Sequence, residues 1–230
     1  MNEHNPRDCP VMRPARAATL ASLCLAASLL AGCKLAGPPP REYVLGTQPE
    51  PAAKSVVETG RPLLEVRRVQ LPDYLDRTAL LQRHGNELAP SETSRWGERL
   101  SVGMTRALAD SLAARLPDMF VTDSQPLVGR PSKRLMIDVL EFEPRADQRV
   151  VLVAHWSIVD GASPQILTSQ QTSLVEPIGG SGDEAIVSAM QRALEQLAGQ
   201  VAASLQEPAG ARPAGNVDPS ADLPATVSHR

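Results

Sequence analysis

A formal charge of −3 over 230 residues and a pI near 5.8 make the chain mildly acidic, which excludes the basic footprint of a nucleic-acid-binding protein. Aromatic residues are only 3% of the sequence against 42% hydrophobic overall, so any core must be built mainly from Leu, Val, Ile and Ala. All three cysteines, Cys9, Cys24 and Cys33, lie near the start, so no disulfide is expected to hold the fold.

The first 33 residues read as an export signal. Arg7, Arg13 and Arg16 precede an apolar run from Ala17 to Leu30, too short to span a bilayer comfortably. The run ends in Leu30-Ala31-Gly32-Cys33, which is similar to the lipobox of bacterial lipoproteins. Small residues at 31 and 32 leave room for a peptidase and a lipid transferase, and Cys33 supplies the sulfur nucleophile. Residues 1–32 would be the signal peptide, with Leu30, Ala31 and Gly32 its recognition site and Cys33 the lipid attachment point. Translation from Met1 or from Met12 gives the same mature chain. Without its leader, which carries a net +1, the chain has a formal charge of −4. Position 34 is Lys, whereas Asp there is the familiar retention signal for the inner membrane. Resemblance to known lipoproteins therefore implies the periplasmic face of the outer membrane.

Residues 33–40 include Pro38-Pro39-Pro40 and read as a short lipidated tether. Residues 41–45 suggest a first short strand, and Gln48 to Pro62 a loop. Leu63 to Leu71 has strand character and stops at Pro72, where Pro72-Asp73-Tyr74-Leu75-Asp76-Arg77 suggests an ordered turn. Leu80–Gln82 and Glu87–Ala89 flank Arg83-His84-Gly85-Asn86, a small hairpin. From Ser91 the period changes. Leu100, Met104, Leu108, Leu112 and Leu116 recur every fourth residue, which predicts an amphipathic helix capped at Ser91 or Ser94 and ended by Pro117.

Met119–Thr122 is a short strand candidate, and Leu135–Phe142, Val150–Val159 and Ile166–Val175 form a run of three. Asp160-Gly161 joins the last two as a hairpin signal. Ser181 with Glu184 reads as a capping box before a second stripe at Ile186, Met190, Leu194, Leu197, Val201 and Leu205. The expected class is α+β: a mostly antiparallel sheet with two long amphipathic helices packed on one face. The expected domain spans 41–206, with 207–230 a disordered tail rich in Pro, Ala and Gly.

Little in the sequence supports catalysis. His84, His155 and His229 are isolated, and no HExxH, paired CxxC or calcium-loop spacing occurs. Gly180-Ser181-Gly182 fails the nucleophile-elbow pattern because Asp183 stands where glycine is needed. Asp73 and Asp76 are the only paired carboxylates in a motif-like setting, and the simpler reading has Asp73 capping a turn and Asp76 pairing with Arg77. The chain is expected to be no enzyme, and to need no cofactor and no metal.

Several motifs in order resemble one family. Val69-Gln70-Leu71-Pro72-Asp73-Tyr74-Leu75 is similar to the V-x-(L/V)-P-D-Y-L segment of PqiC-type auxiliary lipoproteins of bacterial transport systems. Arg95-Trp96-Gly97-Glu98-Arg99-Leu100 resembles their tryptophan-led helix start, though Gly97 and Arg99 replace the commoner alanine and proline. Leu116–Val121, Ser124–Leu127, Glu141-Phe142 and Val150–Trp156 continue the likeness, which runs from about residue 30 to 205. The resemblance implies a non-enzymatic, outer-membrane-anchored auxiliary component of an intermembrane lipid or hydrophobic-molecule transport system, supporting envelope integrity. It implies as partners an MCE-domain (PqiB-like) protein spanning the periplasm as a tube, an integral inner-membrane protein and outer-membrane lipid at the acylated cysteine. An ABC ATPase powers some such systems, and a homo-oligomer is allowed. In that setting Pro72, Asp73, Tyr74 and Leu75 are candidate partner-binding residues, with Tyr74 and Leu75 as exposed anchors or, alternatively, a plug at the edge of the core. Other classes remain open: a periplasmic lipoprotein hydrolase, or an assembly lipoprotein of other outer-membrane machinery.

Overall fold

The structure, a computed structural model, describes residues 39–46, 60–124 and 130–206. The signal segment with Cys33, most of the tether, residues 47–59 and the tail lie outside the described residues. In chain order the elements are β1 (Arg41–Tyr43), β2 (Leu63–Val66), β3 (Ala79–His84), β4 (Glu87–Trp96), α1 (Leu100–Arg115), β5 (Phe120–Thr122), β6 (Lys133–Arg145), β7 (Arg149–Asp160), β8 (Ile166–Pro177) and α2 (Asp183–Gln206).

Strand β6 is the axis of the sheet. Leu135, Ile137 and Val139 are buried, and so is Phe142 three residues on. The switch from odd to even positions coincides with a register shift between Val139 and Glu141, where Leu140 is the extra residue and is half-exposed. The bulge turns Glu141 and Glu143 to the side away from the helices. One edge of β6 pairs antiparallel with β7 along its whole length, and β7 pairs antiparallel with β8. The other edge takes β2 in parallel at Lys133–Leu135, a single bridge from Gln70 to Asp138, and β3 in parallel at Arg145.

The sheet is therefore mixed, and the expectation of a mostly antiparallel sheet is corrected. The β1–β4, β2–β5, β2–β6 and β3–β6 pairings are all parallel. Short loops do give antiparallel neighbours for β3–β4 and β6–β7–β8. The parallel pairs join segments far apart in the chain, and periodicity within a segment carries no information about them.

Helices α1 and α2 pack against each other and against the sheet. The expected stripe Leu100, Met104, Leu108, Leu112 and Leu116 is buried throughout, but α1 also buries Ser101, Gly103 and Thr105, so the description as a simple amphipathic helix is corrected. The polar pair is buried because it is bonded. Arg68 donates to Ser101 Oγ at 3.0 and 3.2 Å, and Thr105 Oγ1 receives the Val69 N–H at 3.0 Å while donating to the Ser101 carbonyl at 2.6 Å. On α2, Ala189, Ala193, Ala198 and Ala202 are buried beside Ile186, Met190, Leu194, Leu197 and Val201. Trp156 and Phe142 are the largest fully buried side chains. The Trp156 indole N–H donates to Thr172 Oγ1 at 3.0 Å, and that hydroxyl donates to Gln200 Oε1 on α2 at 2.8 Å, linking sheet to helix.

Both predicted helix starts move. Residues 91–96 belong to β4, and α1 opens after Arg99 with no side-chain cap of its own. Ser91 does receive the N–H groups of Thr93 and Ser94 at 3.2 and 3.1 Å, the local bonding a cap would make, but inside a strand. At α2 the Gly182 carbonyl accepts the Ile186 N–H at 3.3 Å, so Gly182, at φ +84°, takes the capping position. Glu184 then sits in the second helical position, one short of what a capping box with Ser181 requires. Asp183 instead accepts hydrogen bonds from Ser91 Oγ at 2.7 Å and Thr93 Oγ1 at 3.1 Å, tying the helix start to β4.

Candidate functional site

The segment 67–78 runs along the edge of β6 between its two parallel partners. Arg67 and Gln70 donate their N–H groups to Leu135 and Ile137, and Val139 returns one to Gln70, each at 2.9 Å. Proline cannot continue such a ladder, so at Pro72 the chain leaves the edge and turns. The Leu75 and Asp76 N–H groups both reach the Pro72 carbonyl, at 2.9 and 3.2 Å.

The turn divides the four candidate residues. Leu75 is 2% exposed and belongs to the core, and Tyr74 packs against that core while partly exposed. Asp73 is exposed, while Pro72 and Tyr74 are half-buried. The Tyr74 ring lies 5.9 Å from the Arg83 guanidinium carbon, a cation–π contact. Arg83 Nε donates in turn to Glu143 Oε1. Burial first, then the charge of Glu143, pushes the Tyr74 hydroxyl pKa up, against the pull of Arg83. The Glu143 side chain is only 1% exposed, and its second oxygen, Oε2, has no hydrogen-bond partner. Beside it, Arg145 grips Glu141 Oε1 at 2.5 and 2.8 Å.

Asp76 does not pair with Arg77 as the sequence suggested. Its Oδ1 accepts the Ser101 N–H at 3.0 Å, and Arg99 donates to its Oδ2 at 2.5 Å. The carboxylate thus caps α1 from a different part of the chain. Burial pushes the Asp76 pKa up, but the Ser101 N–H and the Arg99 guanidinium outweigh it and hold the pKa below the ordinary aspartate value. Asp73 and Asp76 face different tasks and make no acid–base pair.

The remaining polar features do not converge on this turn. His155 is exposed in β7, opposite Asp138 and Gln171. Among the described residues no group of three or more His, Cys, Asp or Glu is placed to hold a metal ion. A cleft of about 270 Å³ opens between the helices, lined by Gly46, Asp110, Ser111, Arg115, Gln191 and Glu195. Burial raises the Asp110 pKa there, against the charge of Arg106. Sequence reasoning missed the Arg83–Glu143 and Asp76–Ser101 links. For the first, the only signal was weak: Glu143 lies between Phe142 and Pro144, but in a strand that also carries Lys133, Arg134, Asp138, Glu141 and Arg145.

Fold and site together define an α+β domain in which a surface turn is held by Asp76 on one side and the Arg83–Glu143 pair on the other. The chain belongs to the family of ABC-type transport auxiliary lipoprotein components, whose sequence profile matches residues 43–202. No curated protein matches the chain in sequence. Two crystal structures show the same fold. One, of an uncharacterised protein, superposes with a TM-score of 0.61 at 21% identity, covering 73% of this chain and 99% of its own. The other, protein XCC0632 from Xanthomonas campestris, gives 0.51 at 20% identity over 72% of this chain and 91% of its own.

Proposed function

We propose that the chain is a non-enzymatic lipoprotein anchored through Cys33 to the periplasmic face of the outer membrane. Residues 1–32 are its leader, 33–40 its tether, 41–206 its domain and 207–230 its tail. It docks the far end of an MCE-domain tube whose other end is held by an integral inner-membrane protein, and lipid or a similar hydrophobic molecule passes between the membranes. The observation that carries this reading is family membership through residues 43–202, downstream of Leu30-Ala31-Gly32-Cys33, which resembles a lipobox. Acyl chains at Cys33 contribute about 0.8 kcal/mol per buried methylene, so two or three of them hold the domain at the membrane. Docking falls to the Pro72-Asp73-Tyr74 surface, where Tyr74 offers an aromatic anchor braced from behind by Arg83.

The test uses affinity-tagged chain expressed with its neighbouring transport genes and purified in detergent. The MCE-domain protein is expected to co-purify with wild type and to fall at least fivefold with Tyr74→Ala, while the melting temperature drops only a few degrees. Undiminished recovery, or a collapse of stability that accounts for the loss, would remove the turn from the interface. Cys33→Ser is expected to leave the domain folded and absent from outer-membrane fractions of a sucrose gradient.

A further inference from the structure

Glu143 is the only buried side chain among the described residues with an oxygen left unpaired. A carboxylate accepts two or more donors, and native structures seldom leave one of its buried oxygens empty unless something else completes it. Here Oε1 is taken by Arg83 and Oε2 is free. Arg83 also shows what the cradle recognises. Its guanidinium sits against a carboxylate on one side and the face of the Tyr74 ring on the other, the two surfaces that favour an arginine cation.

We propose that Glu143 Oε2, beneath Tyr74, is the receptor for an arginine side chain of a protein partner. For the partner's identity this rests on the docking reading above; for the chemistry it rests on the cradle alone. Arg83 lies on Glu143 and Tyr74 lies on Arg83, and both side chains are partly exposed, so a path to the carboxylate opens by their rotation without moving β6. The incoming guanidinium donates to Oε2 and stacks on the ring. A partner that lifts Tyr74 on docking thereby exposes the group that then holds it.

The probe is N-acetyl-arginine amide, with N-acetyl-citrulline amide as its neutral isostere, titrated into isotope-labelled full chain in detergent and followed by amide resonances. Arginine amide is expected to give saturable shifts at Tyr74, Arg83 and Glu143, and citrulline amide to bind at least tenfold more weakly. Glu143→Gln is expected to weaken the arginine probe about tenfold, the loss typical of one charge-assisted hydrogen bond. Should that variant fail to fold, Tyr74→Ala leaves the carboxylate in place and is expected to weaken binding by a smaller factor with charge selectivity intact. No saturable shift overturns the proposal, as a water fixed on Oε2 would produce. Equal response to both probes, or shifts elsewhere in the chain, overturns it as well. Failure here with MCE-domain protein still recovered removes the arginine site and leaves docking standing. Binding here without recovery does the reverse.

Discussion

Removing the carboxylate of Asp76 tests whether α1 is capped from outside itself. Asp76→Ala deletes the acceptor for the Ser101 N–H, a cap worth about 1 kcal/mol. It also deletes a negative charge at a helix N-terminus, about 0.3–1 kcal/mol. Arg99 is 62% exposed, so its pairing with Asp76 adds little. The expected loss is about 2 kcal/mol, or a fall in melting temperature of about 4–8 °C for a domain of this size. Asp76→Asn keeps an acceptor and loses only the charge, so it is expected to cost about 0.5 kcal/mol. The pH dependence has a defined sign. The folded-state pKa of Asp76 lies below the unfolded value of about 3.9, so the charge stabilises the fold above that pH and the benefit is lost as pH falls through the folded pKa. Urea denaturation at pH 7 should therefore separate wild type from Asp76→Asn, and the gap should close below about pH 4. Equal cost for Asn and Ala, or a gap that persists in acid, would refute the capping account.

Two glycine substitutions should fail for different reasons. A Cβ at Gly161 would stand 1.6 Å from the Pro131 carbonyl oxygen, so Gly161→Ala is expected to cost about 3 kcal/mol by calorimetry. Gly85 has open space around it and φ +63°, so Gly85→Ala should cost about 1 kcal/mol from backbone strain alone, and equal losses would contradict this division. Trp156→Phe and Thr172→Val each break the indole bond at 3.0 Å; the first leaves the Thr172 hydroxyl bonded to Gln200, while the second strands the buried indole N–H, at about 1–3 kcal/mol. The double variant should cost clearly less than the two together, and additive losses in urea denaturation would show that the bond contributes nothing.

How much was legible follows from the range of each signal. Segment patterns located the ten elements but not all their ends: the stripe Leu100, Met104, Leu108 and Leu112 is written at a spacing the helix itself imposes, whereas β4 runs on to Trp96 through residues expected to open that helix, and β2 stops at Val66 rather than Leu71. Ser91 misled for a physical reason: its hydroxyl accepts the N–H groups of Thr93 and Ser94, cap-like bonds made at the irregularity of β4 between Pro90, paired with Leu81, and Arg95, paired with Ala79. Asp160-Gly161 read as a tight turn, yet Asp160 N–H reaches the Gln165 carbonyl across a longer loop, and glycine is required by the approach of Pro131 instead. Within the turn, geometry that no local pattern encodes leaves Asp73 on the surface, half-buries Tyr74 against the core and puts Leu75 inside it. The partners of Asp76 and Glu143 lie 25 and 60 residues away, which put them out of reach of any single-window reading.

What distinguishes this turn from an ordinary surface loop is the number of elements that hold it. Leu75 enters the core, Asp76 caps α1, and the Arg77 carbonyl accepts the Leu100 N–H at 3.3 Å. On the other side Gln70 is bonded into β6 and Tyr74 lies against Arg83 of β3. A surface fixed at both ends loses little conformational freedom when a partner arrives, so its contacts appear almost undiminished in the binding free energy. That argument assigns different consequences to neighbouring positions. If the turn is the docking surface proposed above, Asp73, exposed and without structural work, would act only through what it touches on the partner. Asp76, which caps α1, would act through the order of the turn, so loosening it should weaken docking through lost order rather than lost contact.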